Sequence, residues 1–308
     1  VSGRRAAPAA CVVIPCYNQG HFLGEAIASA LRQTLPPLDV VVVDDGSIDA
    51  TAEIAGRHPG VRCVRQPNRG LPAARNAGLG VARGEYVVFL DADDRLLPGA
   101  LQAGAAALAA RPDAAFAVGR TRRIDAEGRP LPSPSRPRVD TDHYTSLVRR
   151  CWITMPATVT YRRAALMAVG GFDETFRHAE DYELYLRLAR RYPIVDHHEE
   201  VAEYRQHGDS HSRHAEPMLV ATLRVLRAHR PGRRATPEHR AAYRARENAV
   251  WYFERLLDTV RADLRARRWR AAGHALLVFG RHLPEHPAYA LGRVGAPFRL
   301  AARALMRA

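Results

Sequence analysis

Apolar residues in the first hundred positions come in two alternating textures. Short unbroken runs at Ala10–Pro15, Val40–Val43, Val61–Val64 and Tyr86–Leu90 read as strands. Between them, His21–Gln33, Ala50–Arg57 and Leu71–Ala82 read as helices. In His21–Gln33 the apolar set is Phe22, Leu23, Ala26, Ile27, Ala30 and Leu31, at the steps of three and four that give a helix one buried side. A strand with one wet face alternates apolar and polar residues. These four do not, which predicts a mostly parallel sheet covered by helices on both faces, and the βαβ order predicts the α/β class. Ser47 or Asp49 is placed to cap the second helix.

Further along, Pro98–Arg111 predicts an alanine-rich helix, Ala114–Gly119 and Trp152–Tyr161 strands, and Asp181–Arg191 a helix. Arg129–Arg138 holds Pro130, Pro132, Pro134 and Pro137 and reads as a loop. Past Ser212 the texture changes to arginine, alanine and leucine. Tyr243–Ala266 carries Val250, Phe253, Leu257, Val260 and Leu264 as a helical stripe that needs a partner surface, and Trp269–Phe279 and Tyr289–Leu305 predict further helices. The chain therefore divides into residues 1–212 and a helical extension, 213–308.

Charge sharpens that division. The 308 residues carry a formal net charge of +14, and all 46 basic residues are arginine. Up to Ser212 there are 26 Arg against 25 Asp and Glu; beyond it, 20 against 7. A basic extension of this kind fits, in descending order, a helical cap with solvated arginines, peripheral contact of 213–308 with anionic lipid headgroups, or nucleic acid. The last is not expected, because no aromatic–basic platform is present. The usage of 47% hydrophobic and 25% charged residues is that of a globular chain. No apolar run approaches the roughly 20 residues of a membrane span, and Val1–Ala10 lacks the apolar core of a signal peptide. Cys11, Cys16, Cys63 and Cys151 form no metal-binding pair. Cys11 and Cys63, inside apolar runs, are expected to be buried free thiols, which points to a reducing, cytoplasmic setting, peripheral at the inner face of a membrane if the extension docks there.

Three strand ends carry the candidate chemistry: Pro15-Cys16-Tyr17-Asn18, Asp44-Asp45-Gly46-Ser47 and Asp91-Ala92-Asp93-Asp94. Ligands of open parallel sheets sit outside the carboxyl ends of the strands. Clustered aspartates are costly unless something positive or hydrogen-bonding meets them. An Asp-x-Asp after an apolar strand suits a hard cation shared with phosphate oxygens. Any one segment alone reads equally well as a strand followed by a capped helix.

These blocks resemble the family 2 glycosyltransferases, which have the GT-A fold. Val12-Val13-Ile14-Pro15-Cys16-Tyr17-Asn18 is similar to the opening strand, and Val42-Val43-Asp44-Asp45-Gly46-Ser47 with Asp49 and Thr51 to the second motif. Asn68-Arg69-Gly70 with Ala74-Arg75-Asn76-Ala77-Gly78, and Phe89-Leu90-Asp91-Ala92-Asp93-Asp94, follow in order. Gly170–Glu174, Glu180–Leu184, and Tyr204-Arg205-Gln206-His207 with Ser210 and Ser212 complete the likeness, which covers about residues 10–212.

The resemblance implies an inverting, metal-dependent transfer of a sugar from a nucleoside-diphosphate sugar, in the main a UDP-sugar, to a carbohydrate, lipid-linked or small-molecule acceptor. Pro15, Tyr17 and Asn18 would flank the base, and Asp45 would accept from its N3–H. Asp91 and Ala92 would line the ribose, with Asp91 accepting from its hydroxyls. Asp93 and His207 would hold Mn²⁺ or Mg²⁺. Arg75 would approach the pyrophosphate or pair with Asp44 or Asp94. Asp181 would be the general base, with Glu180 orienting the acceptor or tuning Asp181. Cys16 departs from the motif and is expected to face the base region. No Q-x-x-R-W signature is present, which implies single addition. The rival readings are a nucleotidyltransferase-like protein, which needs a glycine-rich loop that Pro15–Gly20 does not provide, and a degenerate nucleotide-sugar-binding protein, which would lack Asp93 or Asp181.

Overall fold

The computed structural model describes residues 9–134, 139, 142–208 and 214–290. The chain forms two compact units, Val1–Tyr144 with Trp152–Ser210, and Thr145–Cys151 with His211–Ala308. The excursion of 145–151 into the second unit has no signal in the hydrophobic pattern.

The first unit opens with β1 (Ala10–Cys16), α1 (Gly20–Leu31), β2 (Asp39–Asp44), α2 (Thr51–Gly56), β3 (Val61–Arg65), α3 (Leu71–Val81) and β4 (Tyr86–Phe89). There follow β5 (Arg95–Leu96), α4 (Ala100–Ala110), β6 (Phe116–Ile124) and β7 (Pro130–Leu131). Helix α5 (His143–Arg149) runs across the division, and β8 (Val159–Arg162), α6 (Arg163–Ala168), α7 (Glu180–Ala189) and β9 (Ile194–Arg205) complete the unit. The sheet order is β3-β2-β1-β4-β8-β6-β9-β5, with β7 on β6. Strands β3, β2, β1 and β4 are parallel; β8 runs antiparallel between β4 and β6, and β6 is parallel to β9.

This order fixes the site. From β1 the chain winds outward to β2 and β3, and α3 then carries it back across β1 to β4. The reversal leaves a crevice at the carboxyl ends of β1 and β4, the switch point of open α/β sheets. Register sets the levels: Cys16 pairs with Asp44 and Val13 with Phe89, so all three polar segments leave the sheet at one end. Helix α3 packs close to the sheet because of Gly78, where a Cβ would stand 2.2 Å from a methyl of Val13.

The core runs through β1 and β2, whose apolar residues are buried. Strand β3 departs from expectation. It is the sheet edge, and Arg62 and Cys63 are exposed rather than buried. In Trp152–Tyr161 only the end is strand, after a single 3-10 turn at Pro156–Thr158. The twelve-residue β9 escapes the hydrophobic pattern, because its middle, Asp196-His197-His198-Glu199-Glu200, is polar.

The second unit comprises α8 (Ala215–Ala228), α9 (Pro237–Ala245), α10 (Glu247–Arg265), α11 (Trp269–His282) and α12 (Pro287–Tyr289). The single helix expected over Tyr243–Ala266 is broken at Arg246, which has φ +36°. Its buried set is Ala249, Tyr252, Phe253, Leu256 and Val260, and Leu264 is exposed; the stripe is thus turned by about one residue from the periodicity reading. Phe253 stacks on Tyr289 at 5.3 Å and meets Phe279 edge-on at 5.5 Å. The segment 145–151, most of it in α5, is held by Arg149 on Glu247 (2.6 Å) and by the Cys151 amide on Asn248 (3.2 Å). Among the described residues no helix is long and apolar enough to cross a membrane. Ser210, Ser212, Phe298 and the helix expected beyond Ala290 lie outside the described residues, as does most of the proline-rich stretch after Pro134.

Candidate active site

At the end of β1 the chain turns through Asn18, which has φ +53°. The Asn18 amide donates to Ser47 Oγ (3.0 Å), and its side-chain oxygen accepts from the Ile48 amide (2.9 Å). The first two polar segments are thereby tied into one wall. Tyr17 stands 50% exposed on it. Pro15 is buried within β1 opposite Val43. Cys16 is buried, its Sγ lies 3.5 Å from Thr51 Oγ1, and burial pushes its thiol up to about 11.

Gly46 completes the turn after β2. It has φ +82°, and a Cβ there would lie 2.8 Å from the backbone nitrogen of Asn68. That close approach brings residues 66–70 over Asp45. The buried Asp45 carboxylate accepts from Gln66 Nε2 (2.7 Å), the Arg69 amide (3.0 Å) and the Gly70 amide (2.8 Å). Asp44, also buried, accepts from the Ser47 amide at 2.8 Å.

The three aspartates of the segment after β4 have separate partners. Asp91 Oδ1 accepts from Arg75 Nη2 at 2.7 Å, and Ala92 is buried. Asp93 Oδ2 lies 2.8 Å from His207 Nε2, with Gln19 Nε2 at 3.5 Å. Asp94 Oδ1 accepts from the Arg205 amide at 2.8 Å. Burial holds the Asp94 carboxyl well above the usual range, and the charges of Asp93 and Asp91 add to the effect.

Arg75 pairs with neither Asp44 nor Asp94, the alternative to its approach to a pyrophosphate. Its side chain is 1% exposed, with Nη2 on Asp91 and Nη1 on Glu180 Oε1, both at 2.7 Å, and it lies over the Phe172 ring at 5.3 Å. Desolvation works against its charge, but Asp91, Glu180 and Asp181 together hold it firmly protonated. The guanidinium thus joins the β4 end to the start of α7. That helix begins after Ala179, at φ +55°, with Glu180 buried and Asp181 half-buried. Burial pushes the Glu180 carboxyl up to about 7 despite Arg75, with repulsion from Asp181 and Asp91. Burial also raises Asp181, which accepts from the Tyr182 amide at 2.7 Å.

Two residues outside the expected set hold this arrangement. Asn76, beside Arg75 on α3, accepts from the Phe172 amide (2.9 Å) and donates to the Phe172 carbonyl (2.9 Å) and to Glu174 (3.1 Å), fixing 170–174 under the site. Arg205, at the end of β9, is buried and donates to the Asp93 carbonyl (2.8 Å), the Ala126 carbonyl (2.7 Å) and Glu25 (2.7 Å) while lying over the Phe22 ring at 4.9 Å. Both sit inside recognisable blocks, but only coordinates show which groups they clamp.

The donor set can be tested against a divalent cation. Among the described residues no three His, Cys, Asp or Glu side chains are grouped for a metal. Asp93 and His207 form a pair with one oxygen and one imidazole nitrogen in contact. A two-ligand platform of this kind fits Mn²⁺ or Mg²⁺ whose remaining positions are filled by phosphate oxygens and water.

Residues 11–170 match the family described as Glycosyl transferase family 2. The chain is 30% identical over 201 residues to a chondroitin synthase of Escherichia coli, a match spanning 61% of this chain and 27% of that protein. It is 36% identical over 212 residues to the uncharacterised protein MT1568 of Mycobacterium tuberculosis, with 62% and 65% covered. The matches thus span less than two thirds of these relatives' own lengths. Among solved structures, S. aureus TarS residues 1–349 in complex with UDP-GlcNAc aligns with a TM-score of 0.64 at 19% identity, over 88% of this chain and 80% of that one. The mannosyltransferase PcManGT of Pyrobaculum calidifontis, in complex with GDP-Man and Mn²⁺, aligns at 0.60 and 21% identity, over 90% and 87%. At these identities the likeness is one of fold, and the fold is GT-A.

Proposed function

The chain belongs to glycosyl transferase family 2, and from that membership we propose that it transfers a sugar, with inversion and in single additions, from a nucleoside-diphosphate sugar to an acceptor hydroxyl. One observation carries the reading. The Asp91–Asp94 loop at the sheet's switch point faces His207 through Asp93, and through Asp91 and Arg75 it faces the Glu180–Asp181 pair. A donor side and a proton-accepting side thus meet across one guanidinium.

On the donor side, Tyr17 offers an exposed ring to a base and Asn18 holds the wall behind it. Asp45 already accepts three protein hydrogen bonds, which leaves about one of its four lone-pair sites for the N3–H of a uracil. That supports UDP as the preferred carrier. The second carboxylate oxygen of Asp91 faces ribose hydroxyls. Mn²⁺ or Mg²⁺ held by Asp93 and His207 would neutralise charge on the departing diphosphate.

Asp181 takes the proton of the acceptor hydroxyl while that oxygen bonds to the anomeric carbon. The bond from that carbon to the diphosphate breaks, and the nucleoside diphosphate leaves on the opposite face. Burial raises the basicity of Asp181 and the charge of Arg75 opposes that rise, a balance suited to a hydroxyl that becomes acidic only during attack. Glu180, paired with Arg75 through Oε1, positions rather than reacts. The acceptor is a carbohydrate, lipid-linked or small-molecule hydroxyl.

A thermal-shift series of nucleotide-sugars with Mn²⁺ tests the donor assignment, since a ligand that binds only the folded state raises its melting temperature. UDP-sugars should give the largest shift; a series with no responder would remove the reading. Asp181→Asn should lower turnover by about 10²–10⁴ and leave UDP affinity within calorimetric error. Wild-type turnover would place the base elsewhere.

A further inference from the structure

Helix α11 of the second unit has two apolar faces where a packed helix needs one. Ala272, Ala275 and Phe279 are buried, with Phe279 against Phe253. Trp269, Gly273, Leu276, Leu277 and Gly280 fall together on another arc, about 100° wide at 3.6 residues per turn. Trp269 is 65% exposed, Leu277 75% and Leu276 39%. A Trp and two Leu held in water at one spot are an unfavourable arrangement that a partner relieves.

The surroundings of this arc indicate the partner. Helix α11 contains no acidic residue. Arg270 and Arg281 border the arc, and Arg265, Arg267 and Arg268 immediately precede the helix. Arg268 is paired with the buried Asp263 at 2.6 Å. Among the described residues Arg265, Arg267, Arg270 and Arg281 form no ion pair, in contrast to Arg227 on Glu285 and Arg149 on Glu247. We propose that this face docks on an anionic lipid bilayer: Trp269, Leu276 and Leu277 enter the interfacial layer, and the unpaired arginines meet headgroup phosphates. A second copy of the chain would bring the same cationic rim against itself. A nucleic acid would satisfy the arginines but leave the leucines in water. An anionic bilayer satisfies both. The proposal concerns a surface of the second unit and does not depend on the transfer reading.

The test uses the full chain and sedimentation with phosphatidylcholine vesicles prepared with and without phosphatidylglycerol. The chain should pellet with the anionic vesicles, less at high salt, and not with the neutral ones. Leu277→Glu, at an exposed position that does not threaten the fold, should weaken partition about tenfold or more. Each Arg→Gln change at Arg265, Arg267 or Arg270 should weaken it roughly fivefold. Circular dichroism melting should be unchanged in these variants. Equal pelleting of wild type and Leu277→Glu would overturn the proposal, as would equal binding to neutral vesicles. So would light scattering showing that Leu277→Glu abolishes a dimer, or retention of RNA in place of vesicles.

Discussion

Arg75 shows most clearly what a single side chain does in this site. A guanidinium with 1% exposure is tolerable only because two carboxylates meet it. Arg75→Ala would leave Asp91 and Glu180 facing each other without their cation, and a loss of about 3–5 kcal/mol is expected in denaturant unfolding. Glu180 adds a pH signature. Burial lifts its folded value to about 7 from 4.5, so between those values the native state holds a proton that the unfolded chain has released. The stability it contributes is complete below the unfolded value and is lost as pH rises through the folded one. Melting curves of Glu180→Gln should therefore fall less steeply than wild type between pH 4.5 and 7. The sequence places Asp91, Asp93, Asp181 and His207 in recognisable blocks. It does not show that Arg75 bridges the first block to the Glu180 block, because residue order carries no information on which of several carboxylates converge on one cation.

At the scale of elements, the site depends on β9, the strand least visible in the sequence. Its polar middle conceals it, yet its last residue, Arg205, holds the Asp93 carbonyl, the Ala126 carbonyl and Glu25 at once, while its amide holds Asp94. Arg205→Ala should cost about 1–3 kcal/mol, because it strands the Asp93 and Ala126 carbonyls while Glu25 stays half exposed. Arg205→Lys, which lacks the planar fork, should retain part of the stability but raise the Mn²⁺ concentration needed for half-maximal UDP binding, a readout that simple destabilisation would not move. The parallel half of the sheet was legible because continuous valine runs permit little else. The edge position of β3 was not legible: a four-residue run reads the same whether one or both flanks are covered, and only the strand order exposes Cys63.

Across the whole molecule, each of the two units has its own apolar core, one built on β1 and β2 and one on Phe253, Phe279 and Tyr289. Chains of this kind depart from two-state unfolding. Calorimetry should resolve more than one transition, and UDP with Mn²⁺ should raise only the one belonging to the unit that holds Asp93. A uniform shift of a single transition would show that the units melt together. The second unit takes residues 145–151 from within the first as well as those from His211 onward, and no compositional step announces that first segment.

The shared guanidinium also sets a kinetic expectation. If ribose hydroxyls donate to Asp91 as proposed, that carboxylate would pull less on Arg75, and the cation would turn its field toward Glu180 and Asp181. On the proposed mechanism, loading the carrier would thus strengthen the hold of Arg75 on the Glu180–Asp181 pair before an acceptor reacts. The catalytic cycle should run as an ordered sequence with the carrier first, and hydrolysis of the carrier should be the characteristic side reaction when the acceptor is withheld.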